Sequence, residues 1–178
     1  MIHLTWASLR PRKPIPGQRL LDPSVTRLRV HPGDLDLYLH VNNGSYLQMM
    51  DVARSNFIAD LDGFARIGDR KWYPVVAAST MTYKRSLKLW DRCEITTRVL
   101  GWDERVVYME QVFTSRGRLY AKGYVAGRFL GPGNARVPAP EVVALMGPDA
   151  PAQSPELPAD VAAWARAVDV AHRDVGRV

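Results

Sequence analysis

The stretch Asp34-Leu35-Asp36-Leu37-Tyr38-Leu39-His40-Val41-Asn42-Asn43-Gly44, followed at once by Ser45-Tyr46-Leu47-Gln48-Met49-Met50-Asp51-Val52-Ala53-Arg54, decides how this chain folds. Tyr46, Leu47, Met50, Ala53, Phe57, Ile58 and Leu61 recur at three- and four-residue steps, the period of a helix with one broad apolar face. Asn42, Asn43 and Ser45 are each suited to accept from the unpaired N–H groups that open a helix. Gly63 is suited to end it. Asp51, Arg54 and Ser55 fall on the less apolar side.

Working outward, Val25 to Val30 alternates as a strand, and His31-Pro32-Gly33-Asp34 has turn chemistry. After Arg70 the period changes to two. Val75 to Tyr83, Cys93 to Leu100, Val106 to Phe113 and Leu119 to Leu130 are rich in β-branched and aromatic residues. Residues 101–104 and 115–118 are short enough for hairpin turns, so the last three strands should form an antiparallel meander. The order predicts an α+β fold, a curved antiparallel sheet wrapped around one long central helix. Such a sheet keeps an open edge, expected at Val75 to Tyr83, which a second copy would cover; that pairing sets the helix start near a subunit seam. Residues 1–23 read as an arm and 24–132 as the sheet-and-helix domain. Residues 133–178 read as a C-terminal extension, with helices at Pro140 to Met146 and Ala159 to His172 forming a surface appendage or oligomer contact.

A length of 178 residues bounds one domain, and 47% hydrophobic with 24% charged residues excludes disordered and fibrous classes. The single cysteine, Cys93, excludes an internal disulfide and a Cys-built zinc cage, which fits a reducing cytoplasm. Met1 to Leu9 reads as no secretory signal, and no stretch approaches the roughly 20 apolar residues of a membrane span. A net charge of +6 favours an anionic partner. Nucleic acid is one candidate, but the basic residues are scattered with no run of five or more. A phosphate-bearing molecule such as coenzyme A, or an acidic carrier protein, explains the excess equally well, and charge alone does not choose.

The segment 34–44 places two carboxylates, an imidazole and two amides just before a helix N-terminus. Free N–H groups there would favour a developing oxyanion, and a nearby carboxylate could attack a carbonyl or activate water. The same residues also fit a plain reading: Asp34 closes a turn, Asn42 or Asn43 caps the helix, and His40 is a half-buried histidine. Asp34, Asp36 and His40 lack the further His or Cys a metal centre needs, and an EF-hand fails because Leu39 stands where glycine is required. No metal or other cofactor is expected. Cys93 reads as a small core residue.

Asp34-Leu35-Asp36, His40-Val41-Asn42-Asn43, Tyr46 and Ala53-Arg54 resemble the opening signature of hotdog-fold thioesterases, the hydroxybenzoyl-CoA and plant acyl-carrier-protein enzymes among them. Val76 to Ser79, Arg85-Ser86-Leu87, Leu100 to Asp103 and Glu156 to Asp160 resemble the branch called thioesterase superfamily member six. The resemblance implies that Asp36 is the catalytic carboxylate, as nucleophile or general base. It implies His40 as a helper and the backbone N–H of Asn43 as the group that polarises the thioester carbonyl. Tyr38 stands where plant-type enzymes have asparagine, and Asn43 where another bacterial group has histidine. Tyr38, Asn42 and Tyr46 are expected to touch the substrate. Lys84, Arg85 and Lys88, with Arg92, form the densest basic stretch; they are either a solvated strand end or, as the resemblance implies, a seat for coenzyme A phosphates.

The expected function is hydrolysis of an acyl-CoA or acyl-carrier-protein thioester by a homodimer or homotetramer. The alternative is a non-catalytic hotdog module that binds acyl thioesters or a protein partner.

Overall fold

Residues 12–174 are described by the structure, a computed structural model. The expected long helix spans Asn43–Asp60 (α1). Tyr46, Met49, Met50, Ala53 and Phe57 form its buried side, again at steps of three and four. Leu47, expected on that face, is 41% exposed. It lies about 100° around the helix from Tyr46, outside the covered stripe.

The strands are β1 Ser24–Arg29, β2 Tyr73–Tyr83, β3 Arg92–Trp102, β4 Val107–Ser115, β5 Arg118–Leu130 and β6 Arg136–Val137. They form one sheet in the order β1-β3-β4-β5-β2, with β6 added to β5, and every pairing is antiparallel. The β3-β4-β5 meander is the one expected, and β2 stands at an end of the sheet, as anticipated for the open edge. The β4–β5 turn is Arg116-Gly117, with φ of +50° and +71°. Two left-handed residues in succession match the twist of the strands they join. The other hairpin differs from expectation, because β3 continues through Gly101 and Trp102 and the chain turns at Asp103, whose N–H donates to Val106 O at 3.0 Å. Gly101 serves close approach rather than a turn: a Cβ there would lie 2.6 Å from Ser154 Oγ of the later chain.

The sheet wraps α1, and the core divides along the helix. Around its first half Tyr46, Met50 and Ala53 pack with Leu87, Ile95 and Phe113. Around its second half Phe57, Ile58 and Leu61 pack with Val99, Val107 and Trp102. Cys93 is buried in the first cluster, and burial pushes its thiol up to about 12. Among the described residues no helix is long and apolar enough to cross a membrane.

Gly63 does not end α1. The left-handed residue is Asp62, with φ +55°, and Gly63 begins a further short helix, Gly63–Asp69 (α2). A Cβ at Gly63 would lie 2.2 Å from Met146 Cε, so the glycine admits the next helix, Ala139–Met146 (α3). The expectation of a surface appendage is corrected at this point: Val142, Val143 and Met146 are buried in the core with Phe57 and Leu61. The last helix, Ala159–Asp174 (α4), packs Val161 and Trp164 against Tyr108 and Ala126. Those two alternate along their strands with the inward-facing Val107 and Val125, so α4 covers the sheet face opposite α1. The arm described from Arg12 is pinned as well, through Ile15 N–H to Asp60 O at 3.0 Å and an Arg12–Asp60 ion pair at 3.2 Å; residues 1–11 lie outside the described residues.

Met146→Ala should lower stability by about 2–5 kcal/mol, the usual loss for a large buried aliphatic side chain. Urea denaturation measures it, and a change near zero would return α3 to the surface.

Candidate functional site

Pro32–Asp34 forms a single tight turn, closed by Asp34 Oδ2 accepting from His31 N–H at 2.7 Å. Asp34 thus takes the turn-closing role. From Asp36 to His40 the chain makes a second, self-contained loop. The Asp36 N–H donates to His40 O at 2.8 Å, and Asp36 Oδ1 accepts from Tyr38 N–H at 2.9 Å and His40 N–H at 3.2 Å. Leu39 completes the loop with φ +60°. This bonding fixes the half-buried Asp36 carboxylate through one oxygen. Its other oxygen, Oδ2, has no protein donor among the described residues.

Asn42 caps α1: its Oδ1 accepts from Gly44 N–H at 2.8 Å, and its carbonyl accepts from Ser45 and Tyr46. Of the first N–H groups of the helix, that of Asn43 is left with no protein acceptor among the described residues. A carboxylate oxygen and a helix-start donor therefore stand open within one short segment. His40 lies in the same loop, but its ring hydrogen-bonds to none of the described residues.

Tyr46 is only 2% exposed, and its hydroxyl accepts from Leu87 N–H at 3.2 Å. Burial, first among the causes, raises its pKa. The contact holds residues 84–91 against the 36–41 loop, where Val41 N–H donates to Leu87 O at 2.9 Å and His40 bridges to Lys88. Lys88 is thereby brought beside His40. Lys84 and Arg85 are not: both N–H groups bond Tyr120 O, and the Arg85 guanidinium donates to Leu119 O at 2.6 Å, toward the β4–β5 end. Leu37, Tyr38 and Leu39 project outward at 98%, 82% and 70% exposure.

A second feature was not foreseen. A cavity of about 250 Å³ opens between α1, α3 and the β2 end of the sheet, walled by apolar residues such as Phe57, Val75, Val107 and Val143. Asp51, Arg54 and Ser55 give it one polar side. Arg54 pairs with Asp51 and donates to Gln111 Oε1 at 2.6 Å; the fully buried Gln111 donates in turn to Met50 O and Thr97 Oγ1, each at 3.0 Å. Burial lowers the Arg54 pKa from its ordinary value, with Asp51 opposing. The sequence signal was present, since positions 51, 54, 55 and 58 form one helical stripe. Along α1, Arg54 lies eleven residues beyond Asn43, about 16 Å at the usual rise, so cavity and loop are separate places within one protomer.

Residues 30–165 match the family model described as the Thioesterase-like superfamily. The chain is 33% identical over 135 residues to Protein THEM6 of Xenopus laevis, covering 76% of this chain and 63% of that one. It is 36% identical over 111 residues to Protein THEM6 of Danio rerio, covering 62% and 55%. The chain thus spans somewhat over half the length of these two relatives. Among solved structures, the BH1999 gentisyl-coenzyme A thioesterase superposes with a TM-score of 0.62 at 25% identity, over 69% of this chain and 98% of that one. The curled antiparallel sheet around a single helix is the hotdog fold of these neighbours, and the chain belongs to the thioesterase-like superfamily.

Proposed function

We propose that this chain hydrolyses an acyl thioester of coenzyme A or of an acyl carrier protein to free acid and thiol. The observation that carries the reading is that Asp36 Oδ2 and the N–H of Asn43, at the start of α1, are both left without protein partners among the described residues within one short segment. The carbonyl oxygen of the thioester sits at the Asn43 N–H, where the helix dipole favours negative charge. Asp36 takes a proton from water, and the resulting hydroxide equivalent adds to the carbonyl carbon. The tetrahedral intermediate collapses with cleavage of the C–S bond, and the leaving thiolate takes up the proton held on Asp36, which gives free acid and thiol and restores the carboxylate. Asp36 is suited to general-base work because the two N–H groups on Oδ1 fix its orientation while Oδ2 accepts from no donor among the described residues.

The separation of loop and cavity favours a homodimer. Pro74, Val75 and Val76 of β2 line the cavity, and β2 is one of the two end strands of the sheet. A copy docked along β2 stands at the mouth of its partner's cavity, so Asp36 of one copy can serve the acyl group held by the other. The exposed Leu37, Tyr38 and Leu39 supply apolar area for the same contact. Relatives named as thioesterases, including Long-chain acyl-CoA thioesterase FadM of Escherichia coli, support the reaction class. A reducing cytoplasm is the setting proposed for a chain whose single cysteine is buried. The free ring of His40 favours a second reading, a module that binds acyl thioesters without turnover.

Asp36→Asn should reduce thiol release by a factor of ~10²–10⁴, the typical worth of a positioned base, with folding intact because an amide oxygen still accepts from Tyr38 and His40. Full activity in a folded Asp36→Asn protein would sink the mechanism. Absence of turnover on every acyl chain, with binding retained, would favour the second reading. Light scattering should report twice the protomer mass; a stable monomer at micromolar concentration would remove the shared site. Lys88→Ala should weaken coenzyme A binding at low salt more than Arg85→Ala does, because the Arg85 guanidinium is committed to Leu119 O, and added salt should shrink the difference.

A further inference from the structure

Along β5 the side chains alternate: Val125 packs with α1, Ala126 with α4, and Phe129 against the core around Phe57. Arg128 therefore points to the α4 side of the sheet. On β6, Val137 pairs with Phe129 and lies in the same core, so its neighbour Arg136, paired with Leu130, points to the α4 side as well. Leu130 is two residues beyond Arg128 on the same face, which makes Arg128 and Arg136 diagonal neighbours across the β5–β6 ladder, within reach of one small ligand. Both line a groove of about 330 Å³ beside the second half of α4, with Val106, Phe129, Val137 and Val168 among its apolar walls.

The other charges of this groove are accounted for. Arg105 is held by Asp169. Asp103 is taken up by its own turn: Oδ1 accepts from the Arg105 and Val106 N–H groups at 2.7 and 2.9 Å, and Oδ2 from the Tyr108 hydroxyl at 2.7 Å. Glu104 is exposed on the same turn and pairs with neither remaining arginine. Arg128 and Arg136 make no ion pair or side-chain hydrogen bond among the described residues, and the Arg128 Nε–H is buried with no protein acceptor. A buried charged donor without an acceptor is costly, and neighbouring like charges on a sheet repel. One oxyanion between the two relieves both, because each guanidinium presents parallel N–H groups to carboxylate or phosphate oxygens.

We infer that this groove binds a small organic anion, its phosphate or carboxylate oxygens held by Arg128 and Arg136 and its apolar part lying against Val106 and Val168. The site lies across the sheet from α1 and shares no residue with the groups proposed for thioester cleavage. It stands whether or not the chain hydrolyses a thioester.

Phenyl phosphate, benzoate and benzyl alcohol are titrated calorimetrically into the full chain and into Arg128→Gln, Arg136→Gln, Arg128→Lys and Lys88→Ala, with thermal shift as the folding control. Wild type should bind at least one of the two anions, at one site per protomer, about tenfold or more tightly than the alcohol, the usual worth of a hydrogen bond to a charged group. The tighter of the two anions identifies the head group as phosphate or carboxylate. Arg128→Gln and Arg136→Gln should each remove most of the advantage, and Arg128→Lys, which keeps the charge but loses the fork, should keep part of it. Lys88→Ala, at the 36–41 loop, should leave it unchanged. An anion preference that survives in either folded glutamine variant overturns the proposal, as does one that is lost in Lys88→Ala instead. Wild type that binds neither anion better than the alcohol overturns it equally. Arg136 is exposed, so Arg136→Gln decides the matter even if Arg128→Gln unfolds.

Discussion

One helix and one sheet each carry an apolar face that only the other can cover, and the architecture follows from that mutual need. Because α1 is long, its burial has to be completed from several directions. Its first half is closed by the sheet together with Leu87, whose N–H meets the Tyr46 hydroxyl. Its second half is closed by α3 and by Leu20 of the arm. The same packing fixes the start of the helix in space, and so fixes where the Asn43 N–H and the Asp36 carboxylate stand. Stability and chemistry thus share one element.

The parts of the molecule readable from sequence are those whose cause is local. Alternation marked the strands, three- and four-residue steps marked α1, and the Asn42 cap bonds within two residues of itself. Arg116-Gly117 turns as adjacent positive φ values require. What escaped was set by distant chain. Gly63 and Gly101 look like stop and turn signals, but each is small because another segment, at Met146 or Ser154, presses against it. The burial of α3 escaped for the same reason: an amphipathic pattern reports that a face wants cover and says nothing of what arrives to cover it. The cavity stayed hidden because its stripe on α1 begins with charged residues that, read alone, suggest solvent.

The candidate site divides along the same line. The Asp36 loop is closed by bonds among residues 36–40, so its shape is written in those five positions. The basic run did not survive as a unit, because the chain between Arg85 and Lys88 passes from the end of β2 to the edge of the 36–41 loop. Contiguous charges in sequence became two separate features in space. The sheet edge at β2 and the exposed Leu37 to Leu39 have a common character: each is left uncovered in a single protomer, and each borders the cavity or the loop.

Cys93 has a practical consequence for anyone handling the protein. It is the sole thiol, it sits beneath the β1–β3 pairing opposite Leu28, and burial keeps it protonated at neutral pH. An alkylating dye therefore has no target until that pairing opens. The rate of labelling under native conditions reads the opening of one defined edge of the sheet, with no engineered reporter and no competing signal.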